Sequence, residues 1–120
     1  VGLSGDRVEM RAGRLFLNGR AIPCVPEAAG LCREHVDSSR SYLVREDGSS
    51  PLSSFAEQKV PEGYLFVLGD NRDSSTDSRV PQAEGGLGMV ADWQVIGRAS
   101  RIFLSIGDGL RWDRIGRHID

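Results

Sequence analysis

The sequence contains no apolar run that approaches the length of a membrane span. The longest run, residues 64–68, is far shorter than the roughly 20 residues that a spanning helix needs. No charged-then-apolar leader opens the chain, so we expect neither a transmembrane segment nor a signal peptide in these 120 residues. Aromatic residues are also scarce, at 7%, whereas the 15 glycines favour turns and strands over long helices. The length suits one domain with a single core.

The chain also lacks an excess of positive charge. Its net charge of −2 excludes a strongly basic nucleic-acid platform. Lys59 is the only lysine, so chemistry that needs a deprotonatable side-chain amine has one candidate. Cys24 and Cys32 lack the four-ligand pattern of a zinc site, and neither lies at metal-finger spacing from His35 or His118. We expect no metal or cofactor, an exposed loop position for His35, and either a disulfide or two free thiols.

Glycine-containing dipeptides divide the first part of the chain into short strands. Ala12-Gly13 and Asn18-Gly19 can adopt the positive φ of tight hairpin turns, so residues 5–22 are predicted to form a three-stranded meander. Residues 23–59 differ because they carry prolines and several serine pairs, and they are predicted to leave the core as an extended insert. Within this insert, only residues 41–46 alternate cleanly enough to predict a strand.

The second half of the sequence continues the β pattern. An apolar strand is predicted over residues 64–68, and one or two closing strands are predicted over residues 94–99 and 101–106. The predicted fold class is therefore all-β, in a single domain whose core comprises residues 1–22 and 60–106.

The C-terminal tail, residues 107–120, has a different pattern. Trp112, Ile115 and Ile119 lie on one face of a predicted short helix, among several arginines. Two alternatives stay open for this tail. It packs on the β core or frays as a terminus, or it lies on anionic lipid headgroups.

A polar loop at residues 69–79 carries the candidate chemistry. It follows directly on the apolar strand, and its sequence is GDNRDSSTDSR. Three aspartates and two arginines allow ion pairs and bonds from carboxylates to backbone N–H groups. One alternative is a self-paired surface loop without further function. A calcium loop is disfavoured, because Asp70, Asp73 and Asp77 do not follow the alternating ligand spacing with its central glycine and distal glutamate.

Several segments together carry a family resemblance. They are, in chain order, GDRVEMRAGRLFLNG at residues 5–19, VPEGYLFVL at residues 60–68 running into the polar loop, Gly88-Met89-Val90, and Ile96-Gly97-Arg98-Ala99. This pattern resembles bacterial signal peptidase I. The resemblance implies a membrane-anchored serine endopeptidase that removes signal peptides from exported preproteins at the outer, periplasmic face of the cytoplasmic membrane. It also implies an all-β fold of twisted antiparallel sheets in a partly open barrel.

The resemblance further implies roles for five residues of the polar loop. The family uses a serine nucleophile and a lysine base, and the base works only when burial lowers its pKa far enough to leave neutral amine. By resemblance, Ser75 orients that lysine, and Asp77 and Arg79 form a pair that holds the loop. Asp70 matches an aspartate that pairs with an arginine beside the lysine. Gly69 lets the backbone pass close to the lysine side chain.

The sequence departs from the family pattern where the reacting groups are expected. Neither Met10 nor Met89 belongs to the Ser-x-Ser-Met type motif of the nucleophile, and the expected lysine falls just upstream of Val1. Lys59 does not match the motif of the base and is expected to be a solvated charge. The chain therefore resembles the C-terminal part of a signal peptidase I without membrane anchor, nucleophile segment or base. We expect it to be inactive alone.

Alternatives stay open for the origin of the chain, its function and the state of its cysteines. The chain is a shortened form or gene fragment, or it is a natural pseudo-enzyme. Other functions considered are a conjugation-type processing peptidase and a non-catalytic module that binds a peptide or a membrane surface. Some members of the family carry a disulfide in the extension where Cys24 and Cys32 fall, and two unpaired thiols are the alternative. Nucleic acid is not an expected partner, and the oligomeric state is not predicted.

Overall fold

The computed structural model describes residues 1–106 and 109–119. Its regular structure consists of short strands and single-turn 3₁₀ helices. The strands are β1 (Arg7–Arg11), β2 (Arg14–Leu17), β3 (Arg20–Ala21), β4 (Cys24–Ala28), β5 (Leu31–His35), β6 (Ser41–Arg45), β7 (Phe55–Lys59), β8 (Tyr64–Leu65) and β9 (Val90–Ala91). The 3₁₀ helices are Pro51–Ser53, Arg72–Ser74, Gln82–Glu84, Asp92–Gln94 and Trp112–Arg114. No helix within the described residues is both long and apolar enough to span a membrane.

The predicted meander is confirmed, and it forms most of the first sheet. This sheet has the antiparallel order β3-β2-β1-β7. Both turns between its first three strands combine a non-glycine residue at positive φ with a glycine: Ala12 at 46° precedes Gly13 at 77°, and Asn18 at 52° precedes Gly19 at 75°. Two successive residues at positive φ give the turn whose twist matches that of the flanking strands. The short sequences between these strands therefore determine the meander.

The insert contains more β structure than its sequence predicted. β6 confirms the predicted strand, but β4 and β5 precede it and form a second antiparallel sheet of order β4-β5-β6. Pro26 and the charged residues of β5 obscured the alternation by which such strands are recognised. Cys24 and Cys32 join β4 to β5 through a disulfide. His35 lies partly buried at the end of β5, so its expected place in an exposed loop is wrong.

The last strand of the insert belongs to the first sheet. β7 pairs antiparallel with β1, and Lys59 lies opposite Arg7. Residues 55–59, which the sequence assigned to the insert, thus form an edge of the meander's own sheet. The side chain of Phe55 stacks on that of Phe66, with their ring centroids 5.5 Å apart. This contact joins the edge strand to the segment that leads into the polar loop.

The hydrophobic core lies beneath the first sheet. Its buried members are Val8, Met10, Leu15, Ile22, Val60 and Phe66. The apolar segment at residues 64–68 contributes Phe66 but is a shorter strand than predicted. Only its first two residues form β8, which pairs with β9, and Phe66 makes an isolated antiparallel bridge with Gly2. The polar loop therefore starts three residues after Phe66, close to the core and to the first residues of the chain.

The predicted closing strands and the predicted tail helix are wrong. Residues 92–101 are all exposed, and the side chains of Trp93 and Phe103 remain 80% and 90% exposed. In the described part of the chain, no sheet covers these apolar residues, so their alternation does not produce a strand. Among residues 109–119, only the turn Trp112–Arg114 is helical, and Gly116 follows at a φ of 81°, which ends it. Residues 107, 108 and 120 lie outside the described residues.

The prediction of an all-β class is confirmed. The antiparallel sheets are short, and none of them closes into a barrel within the described residues.

Candidate functional site

Gly69, the first residue of the polar loop, and Ser75, near its middle, approach each other closely. A β-carbon added to Gly69 would overlap the Oγ and Cβ atoms of Ser75. The Ser75 hydroxyl donates a hydrogen bond of 2.6 Å to the carbonyl of Asn71. The contact on one side and the hydrogen bond on the other fix the Ser75 side chain in one position. Gly69 thus makes room for Ser75, and the room for a lysine that the resemblance implies stays a prediction.

Asp77 holds Gly69 from its amide side. The Oδ2 atom of Asp77 accepts the N–H of Gly69 at 2.9 Å. Both carboxylate oxygens also accept from the Arg79 guanidinium, with Nε–Oδ1 at 2.8 Å and Nη2–Oδ2 at 2.9 Å. Burial alone would raise the pKa of Asp77, but the hydrogen bonds from Arg79 and Gly69 outweigh it and hold the pKa below its usual value. Asp77 is therefore an anion, and both of its carboxylate oxygens accept hydrogen bonds from residues of the polar loop.

Arg79 extends this network to the rest of the loop and to the insert. Its side chain is completely buried. Besides pairing with Asp77, its guanidinium donates to the carbonyl of Arg72 at 2.6 Å and to that of Leu52 at 3.3 Å. Hydrogen bonds of the Asp77–Arg79 pair thus link both ends of the polar loop to the 3₁₀ helix Pro51–Ser53.

A second buried ion pair was missed by the sequence analysis. Arg72 donates to both carboxylate oxygens of Glu34, with Nη1–Oε1 at 2.9 Å and Nη2–Oε2 at 2.6 Å. The two side chains are 1% and 3% exposed. The Nε of Arg72 donates to the carbonyl of Gly69 at 3.1 Å. The sequence offers no signal for this pair, because the partners are separated by 38 residues and Glu34 belongs to an unrecognised strand.

Tyr42 lies on β6 beside this ion pair. Burial of its phenol, together with the negative charge of Glu34, raises the pKa of Tyr42 to about 12. The side chain is therefore neutral at physiological pH and adds no charge beside Arg72. Glu34 is therefore the anion that pairs with Arg72 here.

Asp70 occupies the exposed side of the polar loop. Its Oδ1 atom accepts the N–H of Asn71 at 2.9 Å, and its carbonyl accepts the N–H of Arg45 at 2.8 Å. No arginine pairs with its carboxylate among residues 1–106 and 109–119, so the pairing implied by the resemblance stays a prediction. Lys59 is exposed at the end of β7, and no hydrogen bond or ion pair in the described part of the chain joins it to the polar loop.

The amino group of Val1 lies next to the strand that leads into the loop. It donates to the carbonyl of Phe66 at 3.0 Å, and the backbone of Gly2 exchanges two hydrogen bonds with that of Phe66. Burial, followed by the positive charge of Arg72, lowers the pKa of the Val1 amine, and the negative charges of Asp6 and Glu34 oppose this only in part. An amine at this place in the fold is therefore biased towards its neutral form.

Comparison with known proteins gives one consistent result. Residues 1–104 match the signal peptidase family, peptidase S26. The chain is 35% identical over 104 residues to signal peptidase I S of Bacillus subtilis, covering 86% of this chain and 48% of that protein. It is 32% identical over 120 residues to signal peptidase I of Pseudomonas fluorescens, covering 88% of this chain and 42% of that protein. The chain thus spans about half the length of these curated relatives. No solved structure matches it.

Proposed function

Because the chain belongs to the signal peptidase family, peptidase S26, we propose that it is the part of a signal peptidase I that positions the catalytic base. The complete enzyme is a serine endopeptidase that removes signal peptides from exported preproteins by a serine and lysine dyad. In this proposal Ser75 orients the lysine, and Gly69, Asp77 and Arg79 hold Ser75 in place. Asp70 contributes from the exposed side of the loop by pairing with an arginine beside the lysine.

The observation that carries the proposal is the pairing of the first residues with the strand that leads into the polar loop. Gly2 and Phe66 form an antiparallel bridge. In a longer protein that continued this pairing before Val1, the preceding residues would run along residues 67–70 towards Gly69 and Ser75. The family lysine is expected in this stretch. Its route therefore agrees with a role for Ser75 in orienting it.

The electrostatics of this region also support the proposal. A lysine can act as a base near neutral pH only if its surroundings disfavour the ammonium form. Burial and the charge of Arg72 lower the pKa of the Val1 amine. A lysine side chain that entered the same region would experience the same two effects, both of which lower its pKa.

The hydrogen bond of Ser75 suits the task proposed for it. Its hydroxyl proton is directed at the carbonyl of Asn71, so its oxygen lone pairs remain available to accept an N–H of the lysine. The neutral lysine nitrogen then removes the proton of the nucleophilic serine hydroxyl as that oxygen attacks the scissile carbonyl. The resulting ammonium returns the proton to the leaving amine. In both protonation states the lysine has an N–H for Ser75 to accept.

We further propose that the complete enzyme is anchored in the bacterial cytoplasmic membrane and that this domain works on its outer face. The exposed side chains of Trp93, Phe103 and Trp112 support contact with a membrane surface. Arg98, Arg101 and Arg111 lie near them in the sequence and are also exposed. Aromatic and cationic side chains together favour the interface of an anionic bilayer. A non-catalytic membrane-binding module is the second function that this observation favours.

A cleavage assay tests the proposed activity. The 120-residue chain would be compared with an extended form, in which the serine and lysine segments of the family precede Val1. A preprotein with a signal peptide is the substrate, and product is identified by its new amino terminus. We expect cleavage only by the extended form. Cleavage by the 120-residue chain would assign the base to another group, and no cleavage by either form would contradict the proposed function.

A further inference from the structure

Glu34 is the point at which the insert reaches the candidate site. It lies on β5, the central strand of the second sheet, and is only 2% exposed. On β4, the residue opposite Glu34 is Cys24, whose disulfide to Cys32 closes the same hairpin. The backbone on both sides of Glu34 is therefore constrained. Its carboxylate is presented to the polar loop by a rigid element that carries none of the family motif.

Arg72 transmits this constraint to the backbone of the polar loop. All three nitrogen positions of its guanidinium are engaged: two bind the carboxylate of Glu34, and Nε binds the carbonyl of Gly69. A planar guanidinium held at two points by a carboxylate has little freedom at the third. The position of Glu34 therefore determines the direction from which Arg72 meets Gly69.

Gly69 is consequently held from both sides. Its carbonyl accepts from Arg72, and its N–H donates to Asp77. Between these two hydrogen bonds lies the Cα atom of Gly69, which packs against the Ser75 side chain without room for a β-carbon. A displacement of the Gly69 carbonyl therefore displaces the surface on which Ser75 rests.

From these contacts we propose that Glu34 is a positioning residue of this site. Through Arg72 it fixes Gly69, and through Gly69 it fixes the Ser75 hydroxyl, so the disulfide-bonded hairpin β4–β5 is part of the catalytic support. The inference rests on the proposed function for its catalytic consequence. The mechanical link between Glu34 and Ser75 stands on the described contacts and is tested separately.

Glu34 also balances the charge of Arg72 near the amino end of the chain. The charged groups that act on the Val1 amine are Arg72, Asp6 and Glu34. Replacing Glu34 by glutamine preserves its shape and a hydrogen-bond acceptor for Arg72 but leaves the guanidinium charge unbalanced. The pKa of the Val1 amine should then fall further. The pKa of the Val1 amine therefore reports the charge of Glu34, whereas its positioning of Gly69 and Ser75 is read from those two residues themselves.

The first test uses the 120-residue chain, released so that it begins at Val1. Glu34→Gln is compared with Glu27→Gln, a matched control on the same hairpin that removes an exposed pair with Arg33. Amide NMR signals of Gly69 and Ser75 report the loop, and the pH dependence of acylation of the Val1 amine reports its pKa. We expect Glu34→Gln to shift both signals and to lower the pKa, whereas Glu27→Gln changes neither.

A second variant covers the case in which Glu34→Gln does not fold. Glu34→Asp keeps the charge but shortens the side chain, so it should shift the Gly69 and Ser75 signals without lowering the pKa of the Val1 amine. Unchanged signals in a folded Glu34 variant, or equal changes in the Glu27→Gln control, would overturn the proposal.

The catalytic consequence is measured in the extended form. We expect Glu34→Gln to lower kcat at least about tenfold while KM stays within about twofold, because it misplaces a catalytic group without removing a substrate contact. The acid limb of the kcat profile should move to lower pH. A Glu34→Gln enzyme with unchanged kcat would contradict the catalytic part. If the unmodified extended form does not cleave, the proposed function fails, and the NMR result still decides the link between Glu34 and Ser75.

Discussion

The Ser75 hydroxyl lies where a β-carbon on Gly69 would have to stand. The two residues are six positions apart in the chain, and they are brought together because Asp77 binds the N–H of Gly69 while the Ser75 hydroxyl binds the carbonyl of Asn71. The requirement for glycine at this position therefore comes from packing. Gly69 is not in the region of positive φ where glycine is favoured for conformational reasons.

Replacing Gly69 by alanine should displace Ser75. The overlap forces either the loop backbone or the Ser75 side chain to move, at a cost of about 1–3 kcal/mol of unfolding free energy. In the extended form, kcat should fall at least about tenfold. Urea unfolding and the cleavage assay measure the two effects. Gly97→Ala is the matched control, because nothing lies within 4 Å of a β-carbon there; equal behaviour of the two variants would contradict the packing argument.

The Asp77–Arg79 pair should make stability depend on pH. Because the folded state lowers the pKa of Asp77, its contribution is complete above the unfolded pKa, at about pH 4, and is lost as the pH falls through the folded value. Asp77→Asn should therefore cost about 3–5 kcal/mol at pH 7, since it leaves Arg79 buried without its anion. The difference from the unmodified chain should shrink towards pH 2.

Urea unfolding at several pH values measures this dependence. Asp113→Asn is the control, because Asp113 forms a solvent-exposed pair with Arg111 and should leave stability unchanged. A cost for Asp77→Asn that stayed constant between pH 7 and pH 2 would show that its charge is not the source of the stabilisation.

The disulfide should stabilise the chain through the hairpin that carries Glu34. Closing the short loop between Cys24 and Cys32, at a sequence separation of 8, is worth about 2.5 kcal/mol in the chain-entropy estimate. The double variant Cys24→Ser/Cys32→Ser should lose this amount in urea unfolding. A reductant should destabilise the unmodified chain to the same extent and leave the double variant unchanged. Sensitivity of the double variant to reductant would point to another cause.

The exposed aromatic residues should mediate contact with anionic membranes. We expect the chain to sediment with vesicles that contain phosphatidylglycerol, and to do so less strongly as salt is added. Replacing Trp93 and Trp112 by serine should reduce the bound fraction. The control is Tyr64→Ser, which removes another exposed aromatic side chain, on β8. Equal binding by all three proteins would contradict a role for the C-terminal aromatic residues.

The predictable parts of the fold are those that short sequence segments determine. The meander follows from two turn dipeptides at positive φ, and the polar loop stands out because it follows directly on an apolar segment. By contrast, β4 and β5 depend on pairing with each other and on a disulfide. The apolar alternation at residues 94–106 predicted strands, but no facing layer in the described residues covers it.

The candidate site likewise has residues that the sequence could predict and a residue pair that it could not. Ser75, Asp77 and Arg79 could be selected because they lie within a few residues of one another in a recognisable motif. The pair of Arg72 with Glu34 could not, because it joins the polar loop to a strand 38 residues earlier. Long-range pairs of this kind depend on how two sheets pack, and no local pattern in the sequence encodes that.

The central claim is that Ser75 orients a lysine base, and the most direct test is the kcat of the extended form after Ser75→Ala. Ser74→Ala is the control, since Ser74 is its exposed neighbour. We predict that Ser75→Ala lowers kcat by at least about tenfold with little change in KM, and that Ser74→Ala cleaves at the unmodified rate. Unmodified kcat in the Ser75→Ala enzyme would contradict the account.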